Sequence, residues 1–137
     1  MKIGVMVGHS LNSIDESLKK VAELGIHSCQ VSNYDASIYT PELANAVKEA
    51  CRRHDVTIST FWAGWSGPAV WNFTEGPVTL GLLPAAYRHR RVQELKASAD
   101  FALALGVKQV ATHAGFIPEN PHDPQYAGMI DAIRDVA

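Results

Sequence analysis

The chain has 137 residues, a net charge of −2 with six histidines counted neutral, 47% apolar residues and 19% charged ones. This composition supports one ordinary packed domain and excludes wholesale disorder. There is no basic block to mark a nucleic-acid surface, no cysteine spacing of a disulfide scaffold or zinc finger, and no apolar run near the roughly 18 residues of a membrane span. Met1–His9 lacks the pattern of a secretory leader, so the expectation is a soluble, cytoplasmic, reduced protein.

In chain order, Ile3–Val7 is short, apolar and β-branched and reads as a strand ended by Gly8 and His9. Ser13 begins a helix and has capping-box spacing to Glu16. Ile14, Leu18, Val21 and Ala22 give that helix one apolar face, and Gly25 stops it. A second strand runs from His27 to Ser32. Thr40 and Pro41 are the cap and first residue of a second helix with an apolar stripe of Leu43, Val47, Ala50 and Cys51. A third strand, Val56–Trp62, leads into a third helix over Tyr87–Leu105, with Val92, Leu95, Ala99, Ala102 and Leu103 inward and Gly106 as stop. The basic pair Arg52-Arg53 and the run Arg88-His89-Arg90-Arg91 read as helix surface. Val107–Thr112 is the fourth strand. A fourth helix starts near Asp123-Pro124 with Tyr126, Met129, Ile130 and Ile133 on one side. That helix is still in register at Ala137, which reads as a C-terminal truncation of a longer domain.

Four β-α units imply an α/β fold with a parallel sheet and right-handed crossovers. The junctions Leu24-Gly25-Ile26 and Leu105-Gly106-Val107 repeat, either as common αβ-loop chemistry or as an internal repeat. Between the third strand and third helix lie 24 residues, Ala63–Ala86, without clear periodicity. Ordinary βα loops have about 2–6 residues, and longer ones tend to be lids or binding loops. Two architectures accept four β-α units: an open doubly wound sheet, or half of a (β/α)8 barrel, which needs about 250 residues. Strand order distinguishes them. A barrel half runs 1-2-3-4 with its helices on one face, whereas a doubly wound sheet reverses at a switch point.

The start Met1-Lys2-Ile3-Gly4-Val5, the Leu24-Gly25-Ile26 junction and above all Ala111-Thr112-His113-Ala114-Gly115 after the Leu105-Gly106-Val107 helix end resemble the xylose-isomerase-like barrels. That superfamily comprises sugar and sugar-phosphate isomerases and epimerases and the endonuclease IV type of DNA-repair enzyme. The resemblance covers the whole chain but matches about the first four β/α units, so residues 1–137 are expected to be the N-terminal half of one (β/α)8 TIM barrel domain. It implies metal-assisted proton transfer beside a sugar carbonyl, through an ene-diolate, in carbohydrate metabolism. It also implies a divalent metal (Mn, Mg or Co) in the full-length enzyme. The family's usual metal-binding Glu, Asp, His and Glu belong to the fifth to eighth strands, so no metal ligand is carried over, and the chain alone is expected to bind no metal and to be inactive. In the endonuclease branch, histidines at the third and fourth strand ends bind metal. Here the fourth offers His113 but the third offers Trp62. A non-catalytic barrel fragment or ligand-binding protein is the remaining alternative.

The candidate catalytic residue is His113, just past the fourth strand, as a hydrogen-bonding partner of a sugar oxygen or a ligand to a metal completed elsewhere. The candidate substrate-binding residues are His9, Asn33, Trp62 and Trp65. An indole can stack on sugar C–H groups and donate from its N–H, or simply pack at the barrel rim. Asn33 could reach a ligand or close an Asx turn, and His9 could face the mouth or cap a helix. Trp71 and Phe73 read as core of the long loop, while Glu119 and His122 lie in a Pro-rich loop with no partner carboxylate at fixed spacing. The expected partner is a small sugar or sugar phosphate, with no nucleic acid or membrane. Half a barrel leaves its sheet edges and an inner face, including Met6, Gln30 and Ala111, open to water. The chain is therefore expected to form a homo-oligomer, to aggregate, or to be part of a longer chain.

Overall fold

The computed structural model describes residues 3–8, 10 and 13–137. Strands β1 (Val5–Gly8), β2 (Ser28–Asn33), β3 (Thr57–Ala63) and β4 (Val110–Ala111) form one parallel sheet in the order β1-β2-β3-β4. The helices are α1 (Ile14–Glu23), α2 (Pro41–His54), the short α3 (Gly76–Thr79), α4 (Ala85–Leu105) and α5 (Tyr126–Val136), with a 3-10 turn at Ala36–Ile38. The sequential strand order is that of a barrel half and has no switch point. Two compact units are distinguished: residues 1–64 with 97–111, and residues 65–96 with 112–137.

In the first unit, three helix ends are built alike. Each stops on a left-handed residue, and the next amide donates back to the helix: Ile26 to the Val21 carbonyl (3.2 Å), Val56 to Cys51 (3.0 Å) and Val107 to Ala102 (2.9 Å). The left-handed residues are Gly25, Asp55 and Gly106. The middle junction is hidden in the sequence because Asp55 occupies the position glycine usually fills. The fourth strand is only two residues long rather than Val107–Thr112: the Val107 amide is committed to the helix stop, and pairing with β3 begins at Val110 opposite Phe61.

Sheet register sets which residues face the helices. Val7, Val31 and Phe61 are partners across β1, β2 and β3, and all are buried. A bulge between Cys29 and Gln30 absorbs Ser59, whose hydroxyl donates to the Cys29 carbonyl at 3.0 Å. The extra residue brings Thr60 opposite Gln30 and Trp62 opposite Ser32, on the face opposite Phe61. On the helix side, Phe61 meets Phe101 edge-on at 5.6 Å, and Tyr39 stacks on Phe101 at 4.6 Å. Ile14, Leu18, Leu43 and Val47 complete this core. On the other face, Met6 is 60% exposed, while Gln30, Trp62 and Ala111 are half-buried.

Several local expectations need correction. Ser13 sits at the start of α1 but makes no side-chain cap bond to the backbone; its hydroxyl meets that of Ser10 at 2.7 Å, and Glu16 pairs with Lys20 instead. The Thr40 cap does form, accepting from the Leu43 amide at 3.2 Å. On α4, Ala99 and Leu103 face solvent, and Ser98, Phe101 and Leu105 are buried in their place. Ser98 is tolerated there because its hydroxyl meets that of Tyr39 at 3.2 Å. Arg91 is not helix surface: it is fully buried.

Helices α1 and α2 are tied by Asp15, which accepts from His54 Nε2 at 2.9 Å and from Arg53. The His54 bond first, and the Arg53 charge with it, hold the Asp15 carboxyl below its ordinary value of 3.8. A depressed carboxylate stabilises the fold fully above the unfolded value and loses that contribution as pH falls through the folded one. Asp15→Asn should therefore lower the urea midpoint at pH 5–6 by a small, salt-sensitive amount, and the difference from wild type should vanish below that lowered value. A difference that persists there would assign Asp15 another role.

The second unit buries Trp65, Leu80, Leu82, Leu83, Val92 and Leu95 with Met129 and Ala132 of α5. Lys96 pairs with Asp135 at 2.7 Å. No helix among the described residues is long and apolar enough to cross a membrane.

Candidate functional site

The C-terminal ends of β2 and β3 carry Asn33 and Trp62. Asn33 Oδ1 accepts the Asp35 amide at 2.7 Å, so it closes an Asx turn, and the Asn33 carbonyl accepts from Gly64 at 2.8 Å. The next residue, Tyr34, lies against Gly64, where any Cβ would overlap its ring. Its ring is 5.2 Å from that of Trp62 at 47°. Burial raises the Tyr34 phenol above its ordinary value, so it stays a neutral donor. Trp62 is thus half of an aromatic pair whose other member, Tyr34, the sequence offers only as a hydrogen-bonding residue at the end of the second strand. His9 lies outside the described residues.

His113 and Trp65 belong to the second unit. The Gly115 amide donates to His113 Nδ1 at 3.1 Å. A backbone N–H can only donate, so Nδ1 presents its lone pair, and the neutral imidazole carries its proton on Nε2. Trp71 stands edge-on to the His113 ring at 5.0 Å and 81°, and Trp65 lies 6.4 Å away. Trp71, Asn72, Phe73, Leu80, His113, Gly115 and Phe116 line a cavity of about 350 Å³. The long Ala63–Ala86 connection and the segment after β4 thus share one concavity with His113 in it.

Trp71 and Phe73 are not loop core, being 55% and 91% exposed. The reason is local. Asn72 Oδ1 accepts the amides of Thr74 (3.0 Å) and Glu75 (2.7 Å), and its Nδ2 donates to Glu75 at 3.1 Å. This reciprocal Asn72–Glu75 pair turns the chain into α3 and leaves the flanking aromatics at the cavity rim. The Asn72–Glu75 spacing is visible in the sequence, but the placement of Trp71 beside it is not.

Other candidates lie elsewhere. Glu119 and His122 are exposed in a turn where Asn120 accepts the His122 amide. Burial pushes the thiols of Cys29 and Cys51 up to about 12 and about 11, so neither is a thiolate nucleophile near neutral pH. Among the described residues, no group of three or more His, Cys, Asp or Glu could hold a metal ion.

Comparison with known proteins places this geometry. The sequence profile of the xylose isomerase-like TIM barrel family matches residues 18–137. No curated protein matches by sequence. A xylose isomerase domain protein from Planctomyces limnophilus superposes with a TM-score of 0.85 at 25% identity, over 98% of this chain and 48% of that one. The fold is shared with D-psicose 3-epimerase, solved in the presence of D-fructose (TM-score 0.63, 16% identity, 100% of this chain and 47% of that one). It is also shared with an AP endonuclease, family 2, from Brucella melitensis (0.61, 16%, 99% and 50%). The chain therefore spans about half the length of these structures, and with its sequential parallel sheet and its profile match it belongs to the xylose isomerase-like TIM barrel family.

Proposed function

We propose that this chain supplies a substrate-binding wall of a sugar or sugar-phosphate isomerase or epimerase. The observation that carries the reading is His113, two residues beyond β4, in a mainly apolar cavity with Trp71 and Phe73 at its rim. A sugar presents C–H faces and hydroxyl edges together. Indole and phenyl faces match the first, and the Nε2–H of His113 is a directional donor to a carbonyl or hydroxyl oxygen. The fold shared with D-psicose 3-epimerase supports a polyhydroxy carbonyl compound as the substrate class.

The chemistry assigned to these residues is binding, orientation and exclusion of water. The family resemblance implies a divalent metal, whose ligands do not come from a cluster of three or more His, Cys, Asp or Glu among the described residues. The cavity lining holds no carboxylate either, so the group that moves the proton beside the carbonyl comes from outside this lining.

The test is turnover of ketoses and ketose phosphates, D-fructose and D-psicose first, by the full-length protein supplied with Mn²⁺, Mg²⁺ or Co²⁺. His113→Ala should lower kcat/KM by about 10²-fold or more, the usual effect of removing a donor to a developing oxyanion, with only a small change in thermal midpoint. Parallel loss of activity and stability would make His113 a packing residue. Cleavage of an abasic-site duplex without any sugar turnover would replace this reading with the DNA-repair one.

A further inference from the structure

We propose that Arg91 is a positioning residue that clamps residues 65–84 onto α4, making this segment a fixed wall of the cavity and not a closing lid. The segment's length and its exposed aromatics suggest a lid. Its bonding says otherwise.

Arg88, Arg91 and Glu94 are three residues apart on α4 and so share one helix face. Arg91 is fully buried. Its Nε donates to the Ser66 carbonyl at 3.2 Å, Nη1 to Thr79 (2.8 Å) and Gly81 (2.7 Å), and Nη2 to Pro68 (2.9 Å). One planar fork thus fixes both arms of the segment relative to each other. The guanidinium also lies 5.3 Å from the ring centre of Trp65 and 4.9 Å from that of Tyr87. The neighbours on α4 tie the ends. Glu94 accepts the Ser66 amide (2.9 Å) and hydroxyl (2.5 Å), and Arg88 donates to the carbonyls of Leu82 (2.7 Å) and Leu83 (2.5 Å).

The clamp reaches the cavity by two short routes. Gly81 gives its carbonyl to Arg91, and the next amide, Leu82, donates to Ala114 at 2.8 Å, the residue after His113. Trp65, beside the guanidinium, is 6.4 Å from both His113 and Trp71. A residue needed only to fill space here would be apolar, because burying a cation is costly unless its donors are satisfied. What arginine alone supplies is a rigid fork for several carbonyls at once. Lysine, a point charge on a flexible stem, does not.

The experiment is amide hydrogen exchange on the ligand-free protein. The amides of Ser66, Leu80 and Leu82 should exchange at least about 10³-fold more slowly than in an unstructured peptide. In Arg91→Lys and Arg91→Met, exchange across residues 65–84 should rise at least about tenfold, while that of α2 changes less than about twofold. Of the three tryptophans, Trp65 becomes the sole indole in a Trp62→Phe/Trp71→Phe background. There both Arg91 variants should shift its emission to the red. Fast exchange of the segment in the wild type would overturn the proposal even if no variant folds. So would Arg91→Lys behaving as wild type, or equal acceleration in α2.

Discussion

Replacing Gly81 by alanine is expected to cost about 2–5 kcal/mol and to move His113 away from Trp71. Two effects add. Gly81 has φ +64°, a conformation that costs a residue with a Cβ about 1–2 kcal/mol. The added Cβ would also overlap the carbonyl of Ala114 and the amide of Gly115. These are backbone atoms, so no rotamer change relieves the clash, and forcing the site open costs about 1–3 kcal/mol more. What gives way is the Leu82–Ala114 hydrogen bond, and with it the turn in which Gly115 holds His113 Nδ1. Gly106→Ala is the control: φ is +77° there, but a Cβ would meet no atom within 4 Å, so only the backbone cost applies. Urea midpoints and near-ultraviolet circular dichroism of the two variants make the comparison. Equal effects would mean that the Gly81–Ala114 approach adds no cost.

The sheet was readable in the sequence because its evidence is local. The apolar runs of β1 to β3, the Thr40-Pro41 start and the glycines at 25 and 106 each act through a few neighbouring residues and form the expected structure, whereas β4 is shorter than its apolar run. What stayed hidden depends on contacts between distant residues. Arg88-His89-Arg90-Arg91 is a solvated helix face by composition, and only the carbonyls of a segment up to 25 residues earlier make Arg91 a buried hub. Ser98 is core because Tyr39 offers a partner for its hydroxyl. The position of His113 in the cavity was legible from its place after a strand and before Ala114-Gly115. Trp71 was not, because its position follows from an Asn72–Glu75 turn inside a segment with no periodicity. Asn33 illustrates the opposite case: its side-chain oxygen serves the turn at its own strand end.

A polypeptide of these 137 residues alone is expected to self-associate through its sheet. Among the described residues, β1 and β4 each pair with one strand only, so each presents a row of backbone donors and acceptors along its other side. Among the described residues, Met6, on the face shared with Gln30, Trp62 and Ala111, is 60% exposed, and Val110 on the β4 edge is 42% exposed. All strands are parallel. A twofold axis along the strand direction therefore sets β4 of one copy beside β1 of a second in the same sense, and the reverse pair beside it. This arrangement meets both edges and the open face at once, whereas pairing through one edge would leave the apolar face wet. Sedimentation at about 10–100 μM should show dimers or larger species. Val110→Lys, which puts a charge on the edge, should shift the population towards monomer without loss of helical circular dichroism. A monodisperse wild-type monomer across that range would show that the open face and edges do not drive association.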